Sequence, residues 1–134
     1  MDVVVRHLAG DRFAVAVRGH TFTVDQPVDA GGTDSAPAPT EYFAGAVAAC
    51  VAFYARRYLA RHDLPTEGLA VTASYAMADR PARIREITLS LVVPEGVPEE
   101  RVEALLAVAR HCTLHNTLRQ PPGVSVTVAA RAGT

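Results

Sequence analysis

Apolar and polar residues alternate along Asp2–Leu8 and again along Arg12–Arg18, with Ala9-Gly10-Asp11 between them. A period of two predicts strands, and the small insert predicts a turn. Gly19-His20 turns the chain into a third strand, Thr21–Val24, which ends before Pro27 because proline cannot donate to a ladder. Asp29–Thr40, DAGGTDSAPAPT, is rich in Gly, Pro, Ser and Asp and predicts a loop. The loop joins parts of one domain, since the strands before it form only half a sheet. The pattern then changes to a long apolar stretch. It predicts a helix from Glu41 to His62, with Thr40 as N-cap and Leu64-Pro65 as its end. Glu41 suits the positive end of the helix dipole, and Arg56, Arg57 and Arg61 suit the negative end.

Alternation returns at Leu69–Ala78 and Ile84–Val93, around a turn at Asp79-Arg80-Pro81-Ala82. Pro98 and the acids Glu99 and Glu100 open a second helix, whose apolar face is Val102, Leu105, Leu106 and Ala109. It ends near His111, and a short helical turn follows over Thr113–Leu118. Gln120-Pro121-Pro122-Gly123 turns into a last strand, Val124–Ala130. The order is βββ-α-ββ-α-(α)-β, an α+β domain with mostly antiparallel pairing.

The central helix is apolar nearly all round from Phe43 to Tyr54, so two faces need cover. Ala44, Gly45, Ala46, Ala48 and Ala49 let another backbone approach closely. The simplest cover for the second face is the same helix of a second copy in a two-fold homodimer. The alternative is the C-terminal helix of the same chain.

Composition narrows the function classes. The 134 residues fit one domain, 1–134, with 20% charged and 49% apolar residues. A net charge of −1 points to neither nucleic acid nor an anionic membrane as partner. The uncharged run Tyr42–Ala55 is too short to span a bilayer. The opening residues, MDVVVRHLAGDRF, do not read as a signal peptide, so a cytoplasmic location is expected.

Two cysteines carry the candidate chemistry. Cys50 sits inside GAVAACVAFYA, with Ala46, Val47, Phe53 and Tyr54 one helical turn away. A thiol in apolar surroundings stays protonated unless a cation stands nearby, and this helix face supplies none. Two readings stand: a buried thiol acting as a small hydrophobe, or a reactive one charged from elsewhere, with an arginine of the N-terminal strands as the natural candidate. Cys112 lies in RHCTLHNTLRQ, between two helical segments, where backbone donors can stabilise a thiolate. His111 and His115 flank it at the i,i+4 spacing of a zinc-binding helix, so a Cys/His metal site is a further reading. A Cys–His acyl-transfer dyad is another, without an oxyanion-hole signature beside it.

GGTDSAPAPTEYFAGAVAAC resembles the signature of the OsmC/Ohr superfamily: a glycine-rich loop, a Pro-x-x-Glu-type helix start, then small residues up to a cysteine. HCTLHNTL resembles that family's second cysteine motif, and the order of elements and the chain length match as well. The resemblance implies an intertwined homodimer in which curved, mostly antiparallel sheets wrap two long central helices. It implies a thiol peroxidase of oxidative-stress defence, with no metal or organic cofactor. Cys50 is then the peroxidatic cysteine, attacking a hydroperoxide to give a sulfenic acid, and Cys112 the resolving cysteine. An external dithiol resets the disulfide. Arg12 is the first choice for the family's activating arginine and Arg18 the second. Tyr42, Phe43, Phe53 and Tyr54 are candidates to line a pocket for organic hydroperoxides.

The chain departs from the family pattern at one telling place. The Ohr branch has a catalytic glutamate ten positions before the peroxidatic cysteine, where this chain has Thr40. Glu41 is nine before, and on a straight helix that offset is about 900°, half a turn out of phase with Cys50. Glu41 is carried as a catalytic candidate with helix-dipole complement as its other role. The second motif commonly has Pro after its cysteine, and here Thr113 stands there. The alternative function on the same fold is a slow redox-sensing or ligand-binding protein.

Overall fold

The computed structural model describes residues 1–133. Three alternating segments form an antiparallel sheet in the order β1 (Val4–Ala9), β2 (Arg12–Val17) and β3 (His20–Val24). Arg18 and Gly19 both take positive φ, 49° and 81°, the geometry of a tight hairpin turn matched to strand twist. These strands contact one another and scarcely touch the helices. Val15 is buried, but every residue of β1 is exposed. The sheet is tethered chiefly by Tyr42, whose hydroxyl donates to the Thr23 carbonyl at 2.8 Å and whose ring meets Phe22 at 5.0 Å between centroids.

The loop after β3 is organised around Asp25, only 1% exposed. Its carboxylate accepts hydrogen bonds from the Ser35 hydroxyl (2.7 Å), the Ser35 N–H (2.9 Å), the Thr33 hydroxyl (2.7 Å) and the Gln26 N–H (2.7 Å). Those donors, the Ser35 hydroxyl foremost, hold the carboxyl well below the ordinary carboxylate range, against the opposing effect of burial. Gly32 belongs to the same clasp. A Cβ there would run into the Gln26 carbonyl, so only glycine lets the loop fold back on itself.

The central helix α1 spans Pro39–Arg61, not Glu41–His62. Ala38 is its N-cap and Pro39 takes the first helical position, where a missing N–H costs nothing and φ is already set. Thr40 is therefore inside the first turn. The Glu41 carboxylate accepts the Ala38 N–H at 2.8 Å, the reciprocal arm of a capping box.

One face of α1 is buried through Ala44, Val47, Val51, Ala55, Tyr58 and Leu59. It is covered within the chain by β4 (Ala70–Ala78), β5 (Arg83–Val92), α2 (Val102–Ala109) and α3 (Thr113–Arg119). A 3-10 turn, Glu99–Arg101, leads into α2 as Pro98 and its acids predict. Ala55, Tyr58, Leu59 and Leu105 form the centre of the core. The C-terminal helices cover only this face. Gly45, Ala46, Ala49 and Phe53 on the opposite face stay exposed.

β4 and β5 pair antiparallel, with Ala76 opposite Glu86 and Met77 opposite Ile84. Arg85 is the extra residue of that β-bulge. The two sheets are not hydrogen-bonded to each other among the described residues. The α+β architecture and antiparallel pairing are as expected. The last predicted strand differs: Val124–Ala130 forms no ladder in the single chain, and Val124, Val126 and Val128 are 84%, 93% and 89% exposed. The alternation is present, but no strand among the described residues pairs with it. Among the described residues no helix is long and apolar enough to cross a membrane.

Candidate active site

The fold brings the two cysteines together. Cys50, half-buried on α1, packs into an apolar cluster with Val51, Tyr54, Ala109 and Cys112. Cys112 has no exposed surface and is the N-cap of α3, with extended backbone at φ −68° and ψ 157°. Its sulfur accepts the His115 N–H at 3.3 Å, the task a serine or aspartate usually performs at that position. Both thiols are free and lie close enough to influence one another. Burial pushes the Cys112 thiol up from its ordinary range, and the neighbouring Cys50 adds to the push. The N–H groups of His115 and Leu114 oppose it without winning. Cys112 therefore keeps its proton at neutral pH. The Tyr54 and Thr113 hydroxyls lie 2.7 Å apart, fastening α1 to the start of α3 beside the sulfur pair.

A cavity of about 700 Å³ opens beside this pair. From α1 it is lined by Thr40, Phe43 and Val47, and Val47 is one turn before Cys50. β5 supplies Ile84, Arg85, Glu86, Ile87 and Leu89, and Leu89 also packs on the cysteine cluster. α3 supplies His115, Leu118 and Arg119. Neither cysteine lines the cavity; His115, whose N–H reaches Cys112, and Leu89, which packs on the cysteine cluster, stand between it and the thiols.

The other expected site residues fall in different places. Phe43 lines the cavity, and Tyr54 belongs to the cysteine cluster. Tyr42 is turned to β3 through its bond to Thr23. Phe53 is 51% exposed, edge-on to Tyr54, with the Arg57 guanidinium 5.0 Å above its ring. Glu41 is engaged in the helix cap, while Thr40 faces the cavity. Arg12 is half-buried on β2, and its Nε is buried without a hydrogen-bond partner among the described residues. Arg18 is an exposed turn residue. His111 Nδ1 lies 2.7 Å from the Ala107 carbonyl, at the end of its own helix. No group of three or more His, Cys, Asp or Glu side chains is placed to hold a metal ion among the described residues.

Sequence reasoning passed over Arg85, Arg119 and Asp25. The first had a signal: Ile84-Arg85-Glu86-Ile87 puts two polar residues where strict alternation allows one, which marks a bulge.

This geometry has known counterparts. An OsmC-like protein from Mycoplasma pneumoniae is 18% identical, with a TM-score of 0.78 over 90% of this chain and 87% of the other. An organic hydroperoxide resistance protein from Elizabethkingia anophelis is 23% identical, with a TM-score of 0.70 over 90% of each chain. A third, the organic hydroperoxide resistance protein OsmC from Legionella pneumophila, is 22% identical, with a TM-score of 0.63 over 89% and 90%. At these identities the likeness establishes the fold alone. No curated protein matches the sequence. The family of OsmC-like proteins matches residues 32–127, which include both cysteines, Thr33 and Ser35 of the loop that Asp25 holds, and the whole of α1. The chain belongs to the OsmC-like protein family.

Proposed function

We propose that this protein is a thiol-dependent peroxidase acting on organic hydroperoxides in peroxide defence. The observation that carries the reading is the unequal cysteine pair: Cys50 partly exposed beside a cavity, and Cys112 fully buried and protonated in contact with it. In the first step the Cys50 thiolate attacks the O–O bond of the hydroperoxide. The sulfur takes one oxygen as a sulfenic acid, and the alkoxide leaves and is protonated to the alcohol. The Cys112 sulfur then displaces hydroxide from the sulfenic acid, its proton completing a water and leaving a Cys50–Cys112 disulfide. An external dithiol reduces that bond by exchange and leaves as its own disulfide.

The protein works as a homodimer. A compact monomer of 14.2 kDa exposes about 6,800 Å², whereas this chain exposes 9905 Å². The excess, about 3,100 Å² per chain or about 6,200 Å² per pair, reaches the upper end of obligate homodimer interfaces, about 2,000–5,000 Å² or more per pair. It lies on the Gly45–Phe53 face of α1, on β1 and on the valines of the last segment. Since the β1–β3 sheet scarcely touches its own helices, Arg12 reaches a cysteine pair from across the dimer. There its guanidinium, whose Nε has no hydrogen-bond partner among the described residues, favours the Cys50 thiolate.

A slower, redox-sensing reading draws on Thr40, which places a neutral hydroxyl in the cavity where a glutamate is expected. Steady-state assays decide between them. Purified protein consumes an organic hydroperoxide with dithiothreitol as reductant, and Cys50→Ser abolishes this. Oxidation of Cys50 without repeated turnover supports the sensor. A wild type inert to both hydrogen peroxide and organic hydroperoxide overturns the peroxidase.

A further inference from the structure

Forming a disulfide asks something of Cys112 that its surroundings withhold. The thiol has no exposed surface, and burial keeps its proton on. That proton must leave as the sulfur attacks Cys50, because the thiolate is the nucleophile. Solvent does not reach the sulfur to collect it. The transfer needs a basic group placed between the buried sulfur and the open cavity.

One residue is so placed. Cys112 is the N-cap of α3, and His115 is the third helical residue after it. The pair repeats the positions of a capping box, with a thiol for the usual hydroxyl and an imidazole for the usual carboxylate. Residues three apart share a helix face, with Cβ atoms about 5–6 Å from each other. The His115 N–H already holds the Cys112 sulfur at 3.3 Å, and the same residue lines the cavity.

The neighbours offer no substitute. β5 brings Arg85 and Glu86 to the cavity, and α3 brings Arg119. A guanidinium does not give up its proton, and a carboxylate is a poor base at neutral pH. α1 brings the Thr40 hydroxyl to the cavity and Tyr54 to the cysteine cluster, and β4 brings only Val71. At the end of α2, Arg110 is exposed, and His111 is engaged with its own helix, Nδ1 lying 2.7 Å from the Ala107 carbonyl. Imidazole is the side chain suited to taking and returning a proton in this range.

We propose that His115 is the proton carrier of the disulfide-forming step. As the Cys112 sulfur attacks the Cys50 sulfenic acid, its S–H bond breaks and the imidazole takes the proton. The S–S bond forms, the S–O bond of Cys50 breaks, and hydroxide leaves with the electron pair. The imidazolium gives its proton to that hydroxide, so one water departs and His115 is neutral again. The Cys112 sulfur is oxidised and the sulfenic sulfur is reduced. The sulfenic acid rests on the peroxidase reading, but the proton transfer can be measured without any peroxide.

The test uses dithiobisnitrobenzoate on the reduced protein. Cys50, the accessible thiol, forms a mixed disulfide and releases one yellow thionitrobenzoate. Cys112 then attacks that disulfide and releases a second. The first release belongs to Cys50 alone and serves as the internal reference. In the wild type, the rate of the second release rises through the neutral range and levels off once the imidazole is unprotonated. His115→Gln keeps a good capping-box residue, so α3 stays capped. Its second release is about a hundredfold slower at pH 7 and climbs about tenfold per pH unit without a plateau, since only spontaneous ionisation of Cys112 remains. Added imidazole restores part of the lost rate. A His115→Gln protein with the wild-type rate and pH profile overturns the inference, as does a wild type that gives no second release. Neither result depends on whether hydroperoxide is consumed. If no hydroperoxide is consumed while the second release still requires His115, the peroxidase reading fails and the proton carrier stands.

Discussion

The division of labour between the two cysteines can be tested by competing them for iodoacetamide in the reduced protein. Alkylation needs a thiolate and access. A thiol raised above the reference value of 9.0 is at most about 1% ionised at pH 7, and Cys112 has no exposed surface. To react, α3 must lift away from α1. That breaks the Tyr54–Thr113 hydrogen bond, about 1 kcal/mol, and exposes Leu114 and Cys112, about 2 kcal/mol more. An opening cost near 3 kcal/mol slows labelling roughly a hundredfold beyond the scarcity of thiolate. Cys50 needs no such opening. Peptide mapping of a timed alkylation series should therefore show Cys50 modified first and Cys112 later by two orders of magnitude or more. The Cys112 rate should climb about tenfold per pH unit until the pH passes its raised pKa. Tyr54→Phe should accelerate Cys112 labelling about fivefold, by removing about 1 kcal/mol of the opening cost. Equal labelling of the two cysteines at pH 7, or a Tyr54→Phe rate unchanged from wild type, refutes the assignment of Cys112 as the shielded, protonated partner.

The dimer and the loop give two further predictions. Ala49→Glu puts a charge on the exposed apolar face of α1, and burying it unpaired across a two-fold interface costs several kcal/mol per copy, so sedimentation velocity should show the dimer lost at micromolar concentration. An Ala49→Glu dimer of wild-type affinity removes α1 from the interface. The Asp25 carboxyl is held below its unfolded range, so its contribution is fully present above about pH 4 and disappears as pH falls through the folded value. Asp25→Asn should therefore flatten the acid limb of the thermal stability curve, and an acid limb identical to wild type would show that the clasp contributes nothing.

Local pattern made much of the fold legible. β2, β4 and β5 lie within a residue or two of their expected places because alternation and turn residues agreed, while the helix expected from Pro98 begins as a 3-10 turn and becomes α-helical only at Val102. The start of α1 was missed because threonine is the better cap chemically, yet the proline immediately before it, Pro39, fixes the first helical position and leaves Ala38 outside it. Val124–Ala130 shows a different limit: alternation marks a strand but cannot say which chain supplies its neighbour. The cysteine pair was named from two motifs, whereas their contact depends on α3 folding back over α1 from 62 positions away. Arg85 and Arg119 gave no motif at all, since what joins them is a cavity between a strand and a helix.

The segment around Val124, Val126 and Val128 bears on how the protein comes into being. It is rich in β-formers, uncharged and free of proline from Val124 to Ala130, the composition of an adhesive strand. If the proposed homodimer covers it, a newly made chain carries this edge exposed until it meets another copy. Its encounter rate rises with concentration, so synthesis of neighbouring chains from one message favours correct pairing. At low expression each chain waits longer, open to proteases and to strand exchange with strangers. Selection on such a sequence acts on the speed of meeting as well as on the stability of what is met.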